Sequence, residues 1–142
     1  MNTTSVKYFF VVCSFVLCSI CQAAIGIRHS ASFWANEGNI REEFIFDGQG
    51  ADDVYEDLTI TVDFVDKNGK TIKQGILEPF TVGNVDAYRF ATSSITVPAE
   101  VINDTSYIRL VKATYTDSYG KRIRIPTSEF IYIDFMPIPL EW

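Results

Sequence analysis

A strict alternation of apolar and polar residues recurs along this chain, and it constrains the fold more than any other feature. In the segment LTITVDF, which runs from Leu58 to Phe64, every second side chain is apolar and the intervening ones are threonine or aspartate. A period of two residues is that of a β-strand with one buried face, whereas a helix repeats every 3.6 residues. No convincing helical period follows residue 23. The sequence therefore predicts an all-β fold.

Turn signals divide the alternating segments into seven predicted strands. Asn68-Gly69 follows the strand described above and predicts a tight hairpin, because these residues adopt positive φ angles at low cost. Pro79 is expected to end the returning strand, Thr71–Leu77, because proline cannot donate to a sheet ladder. The other predicted strands span residues 25–33, 40–46, 85–97 (one strand or two), 104–115 and 121–135, the last interrupted by Pro126. Seven such strands predict an antiparallel β-sandwich of the fibronectin type III or immunoglobulin-like kind.

The sixth predicted strand opens with the stretch DTSYIRLVKA, residues 104–113. Tyr107 near its start predicts a structural corner, in which the tyrosine hydroxyl bonds back to backbone a few residues upstream. Arg109 conflicts with a regular alternation, because the position two residues after the corner tyrosine should face the core. Two explanations stay open. The register slips so that Ile108 and Leu110 point inward, or a bulge near Leu110 and Val111 restores the buried face.

The first 23 residues have the pattern of an export signal. Lys7 precedes an apolar run of 13 residues that begins at Tyr8, and Cys21-Gln22-Ala23 follows with small residues at the two positions that a signal peptidase reads. The apolar run is too short to span a membrane. We therefore predict cleavage after Ala23 and a mature domain of residues 24–142 that has no membrane association.

Composition narrows the possible partners of that mature domain. All three cysteines lie in the predicted signal, so the domain is expected to be stabilised by buried apolar surface and not by disulfides. The signal also contains one of the 12 basic residues and none of the 18 acidic ones, which leaves 11 positive against 18 negative side chains and a net charge of −7. An acidic domain of this kind is poorly suited to bind nucleic acid.

Groups that could carry catalysis or hold a metal ion are scarce. His29 is the only histidine, so a typical zinc site has no second histidine, and a structural or solvent-facing role for His29 is favoured over a catalytic one. The acidic segment from Asp47 to Asp57 lacks the spacing of an EF-hand. It is interpreted as a solvated loop, although a looser calcium site between strands stays open. We predict no enzymatic activity, no catalytic or metal-binding residues and no cofactor.

The C-terminal segment FMPIPLEW, residues 135–142, is apolar and rich in proline. One interpretation is a strap across the open end of its own sandwich. The other is an arm that docks on a second chain, because exposed apolar surface usually marks an interface. A long last strand also makes strand exchange a route to a homodimer. The residues of such a dimer arm are Phe135, Met136, Ile138, Leu140 and Trp142.

Together with the export signal and the cysteine-free predicted sandwich, the stretches DTSYIRLVKA, WANEGNI and MPIPLEW resemble the interleukin receptor mimic proteins of pathogenic enteric bacteria. The resemblance covers residues 24–142. It implies a fibronectin-III-like fold, a strand-exchanged homodimer and secretion through the periplasm. It also implies binding of host cytokines, the interleukins, and a role in virulence and immune modulation, but it identifies no binding residue.

A periplasmic structural or accessory protein of a pilus is the alternative function. Pilus subunits are also sandwiches, and each is completed by a strand from its neighbour. They usually carry a disulfide and a distinctive C-terminal strand, and this chain has neither feature.

Overall fold

The computed structural model describes residues 24–133 and 140–141 of the chain. Most of these residues are in strands, with one short α-helix and two single turns of 3₁₀-helix at Asp86–Tyr88 and Thr127–Glu129. The strands and the helix are β1 (Ile25–Trp34), β2 (Asn39–Asp47), β3 (Val54–Val65), β4 (Thr71–Gly83), β5 (Phe90–Pro98), α1 (Ala99–Asp104), β6 (Tyr107–Thr116), β7 (Arg122–Ile125), β8 (Phe130–Ile133) and β9 (Leu140–Glu141). Among these elements no helix is long and apolar enough to cross a membrane.

The strands form two sheets that face each other across one core. The first sheet has the order β5-β2-β1-β8, and the second has the order β4-β3-β6-β7, with β9 pairing in parallel with β6. Strands 1, 2 and 5 therefore lie in one sheet and strands 3, 6 and 7 in the other, which is the division found in immunoglobulin-like sandwiches. The predicted fold class is confirmed. The described chain has eight strands of four or more residues, plus the two-residue β9, where seven strands were predicted.

The additional strand arises at Pro126. The sequence predicted one long last strand over residues 121–135, but β7 ends at Ile125 and the chain turns through Pro126 and Thr127–Glu129 before β8 begins. β7 pairs antiparallel with β6 in the second sheet, whereas β8 pairs in parallel with β1 in the first sheet. Proline has no N–H to donate to a ladder, so the chain leaves one sheet there and joins the other.

Pro79, in contrast to Pro126, does not end its strand. It was expected to end the fourth strand after Leu77, but β4 continues through Pro79 as far as Gly83. β4 is the last strand of its sheet, so only one of its sides pairs within that sheet. A proline is tolerated at such an edge or at an irregularity. The ladder between β3 and β4 is indeed irregular there, with register shifts on both sides of the pair Leu58 and Phe80.

The inward faces carry the alternating apolar residues that the sequence predicted. Leu58, Ile60, Val62 and Phe64 of β3 are all buried, and they belong to the same core cluster as Phe44 of β2. Burying a side chain of this size contributes roughly 1.5–3 kcal/mol, so a strand with four of them contributes a large part of the folding free energy. The rest of the cluster is Ile25, Ile27, Phe46, Ala51, Tyr55, Leu77, Val82, Val97, Ile108, Leu110, Ala113, Ile125 and Phe130.

The difficulty at Arg109 is resolved by both of the proposed explanations. Ile108 and Leu110 are buried, and Arg109 lies on the opposite face of β6. The register with β3 then shifts, because Val62 pairs with Leu110 while the preceding residue pairs with Lys112. Val111 is the extra residue of this bulge. The bulge returns Ala113 to the buried face.

The hairpin between β3 and β4 differs in detail from the prediction. Lys70 O accepts a hydrogen bond from Asp66 N at 2.9 Å, so the connection spans residues 66–70. Gly69 has a φ of 80°, whereas Asn68 is not among the described residues with positive φ. The side chain of Asp66 supplies the remaining support, because its Oδ1 accepts from the backbone N of Asn68 and of Lys70.

Candidate partner-binding surface

Three loops meet at one end of the sandwich and are here called the loop end: residues 48–53, 84–89 and 117–121. The first two touch directly, because Gly48 N donates a hydrogen bond of 2.7 Å to Arg89 O. The first and third line a common cleft, to which Asp53 and Ser118 contribute. In immunoglobulin variable domains, three loops at one end of the sandwich form the binding surface. Loops held by a rigid scaffold are also where binding residues concentrate.

Two glycines allow the loop end to close. A Cβ atom on Gly48 would meet the backbone of Gly83, and a Cβ atom on Gly83 would lie 2.6 Å from the Cα atom of Val54. Real side chains do not approach backbone that closely. The positions of the first two loops therefore depend on glycine at both sites.

Arg89 fixes the middle loop to β2. Its Nε atom is 3.2 Å from Asp47 Oδ1, and its guanidinium group lies 4.5 Å from the centre of the Phe90 ring. Partial burial would raise the pKa of the Asp47 carboxyl group, but the hydrogen bonds from Arg89 and from Gln49 N outweigh burial and hold that pKa below its usual value. The positive charge of Arg89 is thus matched by Asp47.

Large apolar side chains are exposed at the loop end. The exposed fraction is 93% for Tyr119 in the third loop and 61% for Phe90, the first residue of β5, and Val85 and Tyr88 of the middle loop are also exposed. Aromatic side chains are enriched in protein interfaces, and tyrosine is common in binding loops because it adds contact area at a low cost in conformational entropy. This end is therefore suited to bind another protein.

The acidic side chains near the loop end do not converge on one point. Asp47 pairs with Arg89, and Asp57 pairs with Arg122, whose Nη1 atom is 3.1 Å from Asp57 Oδ2. Asp53 accepts a hydrogen bond from the neighbouring N of Val54. Within residues 24–133, no group of three or more acidic, histidine or cysteine side chains is arranged to hold a metal ion. The segment from Asp47 to Asp57 thus presents separate charges to solvent and to basic partners.

His29 lies in the interior of the sandwich, so of its two favoured roles the structural one applies and the solvent-facing one does not. It is buried, stacks on Phe44 at 5.0 Å between ring centres, and its Nε2 atom contacts Glu42 Oε2. Ser32 donates a hydrogen bond of 2.7 Å to the other oxygen of the same carboxylate. A serine nucleophile needs the histidine itself as its base. Here the Glu42 carboxylate lies between Ser32 and His29. The cluster is therefore structural and does not form a nucleophile with its base.

Of the remaining predicted site residues, the structure describes Tyr107 and Leu140. Tyr107 is the first residue of β6 and half-buried, and within the described part of the chain its hydroxyl makes no hydrogen bond. Thr105 makes the bond back to the crossing segment, because its Oγ1 donates to Val101 O at 2.6 Å. The corner role of Tyr107 stays a prediction. Leu140 of the proposed dimer arm lies in β9 and pairs with Ile108 of β6.

The other arm residues, Phe135, Met136, Ile138 and Trp142, lie outside the described residues, and so does the predicted signal, residues 1–23.

The sequence did not single out Tyr88 and Phe90 of the loop end. Tyr88 and Phe90 alternate with polar neighbours and were included in a predicted strand over residues 85–97, whereas β5 begins only at Phe90. Gly83-Asn84 is the signal that could have separated them, because this pair is typical of a turn. The loop-end tyrosine Tyr119 follows Asp117-Ser118, which the sequence did mark as a turn.

Comparisons with known proteins agree with this architecture. The family model described as interleukin receptor mimic protein A (IrmA) matches residues 25–133. A solved structure of IrmA from Escherichia coli is 28% identical in sequence, with a TM-score of 0.68, and the match covers 82% of this chain and 97% of that one. No curated protein sequence matches the chain. Since the family model spans well over half of its length, the chain belongs to the interleukin receptor mimic protein A family.

Proposed function

We propose that this protein is an exported, non-enzymatic binding protein that engages an interleukin of a host organism in imitation of a cytokine receptor. The observation that carries the proposal is the family match over residues 25–133, together with the similarity to a solved IrmA structure. The name of that family refers to receptor mimicry. The two-sheet sandwich of this chain gives such mimicry a receptor-like scaffold.

The loop end supports a binding function by its composition. It exposes Tyr88, Phe90 and Tyr119. Exposed charged side chains of both signs lie in the same loops, among them Asp53, Asp86 and Lys121. An aromatic centre with a charged rim is the usual anatomy of a protein interface. A catalytic function gains no such support, because the only histidine is buried against Glu42 and Phe44.

The same proposal includes secretion through the periplasm and self-association. β9 lies beside β6 in parallel, at Leu140 and Glu141. The same pairing could be made on the β6 of a second copy, which is how strand exchange forms dimers. Light scattering at micromolar concentration tests self-association, and a mass equal to one chain would contradict a stable dimer.

Fractionation of the producing cells tests export, and retention in the cytoplasm would contradict it.

A pilus subunit gains no support from the described strands. β7 and β8 complete both sheets from within the same chain, whereas a pilus subunit relies on a strand from its neighbour.

A binding assay tests the main proposal. The full gene is expressed with its own leader, and the protein is purified from the compartment in which it accumulates and immobilised. A panel of purified interleukins is then passed over it at up to micromolar concentration. We expect saturable binding of at least one interleukin, and we expect Tyr88→Ser and Tyr119→Ser to weaken that binding. Silence of the whole panel would contradict the proposal.

A further inference from the structure

Phe80 has a backbone conformation that its side chain disfavours. It lies within β4 with a φ of 67°, in the left-handed region. For a bulky residue this conformation is an outlier, because the Cβ atom crowds the following carbonyl group. The side chain is also 68% exposed, so no burial in the core compensates for the unfavourable backbone. Residues held in this way concentrate at functional sites.

The surrounding ladder explains how the ring is turned outward. Phe80 pairs with Leu58, and the register between β3 and β4 shifts on both sides of this pair. The neighbours Pro79 and Val82 are buried, while Phe80 points away from the core. A bulge re-aims one side chain in this way without ending the strand.

Asp57, on the facing strand, is a useful contrast. It too has a positive φ, of 51°, but its side chain is held by Arg122 and its backbone oxygen accepts a bond of 2.7 Å from the same guanidinium group. Phe80 has a ring that can make no such bond. Glycine or asparagine would fit its backbone better. The backbone conformation therefore gives no reason for a phenylalanine at this position.

Phe80 lies near the loop end. β4 and β5 approach each other antiparallel, because Glu78 N donates to Ser93 Oγ at 2.9 Å and a Cβ atom on Gly75 would touch the side chain of Ile95. Continued along both strands, these two contacts place residue 80 across from residues 90–91. Phe80 thus lies level with the first residues of β5, where Phe90 is also exposed.

Two exposed carboxyl groups lie close to these residues in the sequence. Glu78 precedes Phe80 on the same strand, and Asp86 begins the 3₁₀ turn of the middle loop, both exposed. Two positive groups in this region are already paired: Arg89 with Asp47, and Arg122 with Asp57. The guanidinium group of Arg89 also lies over the Phe90 ring. An apolar centre with an acidic rim is complementary to an apolar patch with a basic rim.

We propose that Phe80 is the anchor of the partner-binding surface, and that Phe80 and Phe90 bind an apolar, basic-rimmed face of the interleukin. This inference deepens the proposed function and rests on it. A few aromatic side chains at the centre of an interface usually carry most of its binding energy. The backbone conformation at Phe80 is retained because it presents the ring to the partner.

The test compares Phe80→Gly with Trp34→Ala, using the interleukin that binds most strongly in the panel. Trp34 is a matched control, because its side chain is 72% exposed at the end of β1, beside the hairpin at the opposite end of the sandwich. We expect Phe80→Gly to raise the Kd about tenfold or more, while its urea midpoint equals or exceeds that of the wild type. Trp34→Ala is expected to leave the Kd unchanged.

The outcomes separate the two proposals. If the wild-type protein binds an interleukin and Phe80→Gly binds it equally well, the role of Phe80 is wrong and the proposed function survives. A marked loss of stability in Phe80→Gly would also overturn the inference, since the ring would then be structural. If the wild type binds no interleukin, both proposals fail.

A second variant tests the charge of the partner. Reversal of both rim charges, Glu78→Lys with Asp86→Lys, is expected to slow association at low salt about tenfold and to lose this effect at high salt. An unchanged association rate would contradict a basic rim on the partner.

Discussion

Arg109 on β6 lies directly across from Asp63 on β3, and its Nη2 atom is 3.5 Å from Asp63 Oδ2. Both residues are on the outer face of the second sheet. The arginine that conflicted with a regular buried face is therefore paired on the outer face of the sheet, and it does not occupy a position in the core.

The two partners should contribute unequally to stability. Asp63 is only 8% exposed, and it also accepts hydrogen bonds from Thr71 and Gln74, at 3.1 and 2.9 Å. We expect Asp63→Ala to lower the free energy of unfolding by about 1–2 kcal/mol. Arg109→Ala should cost less than about 1 kcal/mol, because its side chain is 40% exposed. Urea unfolding of both variants and of the double variant measures this, and equal effects would contradict it.

Substitution in the buried pair of His29 and Glu42 should lower the free energy of unfolding more than Asp63→Ala does. Glu42→Ala removes a contact that His29 makes in the interior, so it is expected to cost about 3 kcal/mol of unfolding free energy. Replacing both residues with leucine should recover most of that loss. Glu43→Ala is the control, since Glu43 is half-buried on the other face of β2 and should cost under about 1 kcal/mol. Equal effects at positions 42 and 43 would refute the assignment of Glu42 to the core.

Tyr55 should make stability fall at alkaline pH. Burial, reinforced by the negative charge of Glu129, raises the pKa of Tyr55 from 10.0 to about 12. Because the folded state holds this proton more tightly than the unfolded state, the contribution is complete below pH 10 and is lost as the pH rises from 10 through 12. The loss is of the order of 2 kcal/mol. We expect Tyr55→Phe to flatten this part of the stability profile, measured by urea unfolding at several pH values, while Tyr119→Phe leaves it unchanged. A Tyr55→Phe profile identical to the wild type would exclude this cause.

The fold could be predicted from the sequence because burial of one face imposes a period of two. The strand from Leu58 to Phe64 is the clearest case. The two prolines were harder, because a proline ends a central strand but is tolerated at an edge. The sequence does not tell which strands lie at an edge, so Pro79 inside β4 and the change of sheet at Pro126 emerged only from the structure.

The polar cluster in the interior and the candidate site could be predicted far less well. Glu42 stands between charged neighbours in the sequence, and only the bulge at Ser30 shows that it shares a face with both His29 and Ser32. Likewise, Phe80 looks like an ordinary strand residue in the sequence. Its positive φ angle results from how β3 and β4 pair across several residues. Bulges depend on such pairings between distant segments, and no local pattern encodes them.

Backbone segments approach each other closely at two glycines of the loop end, Gly48 and Gly83. Gly83→Ala would place a Cβ atom 2.6 Å from the Cα atom of Val54, and Gly48→Ala would press on the backbone of Gly83. Because backbone cannot move aside as a side chain can, each variant should lose about 2 kcal/mol of unfolding free energy.

Gly75→Ala is the matched control. Its added Cβ atom would approach the Cδ1 atom at the end of the Ile95 side chain, at 2.9 Å, and that atom can rotate away. We expect its cost to be well below that of Gly48→Ala and Gly83→Ala in the same urea experiment. Since Gly48 and Gly83 hold the first two loops together, their alanine variants should also weaken interleukin binding, whereas Gly75→Ala should not. A loop end that tolerates alanine at both glycines would mean that the backbone there is not closed as the structure has it.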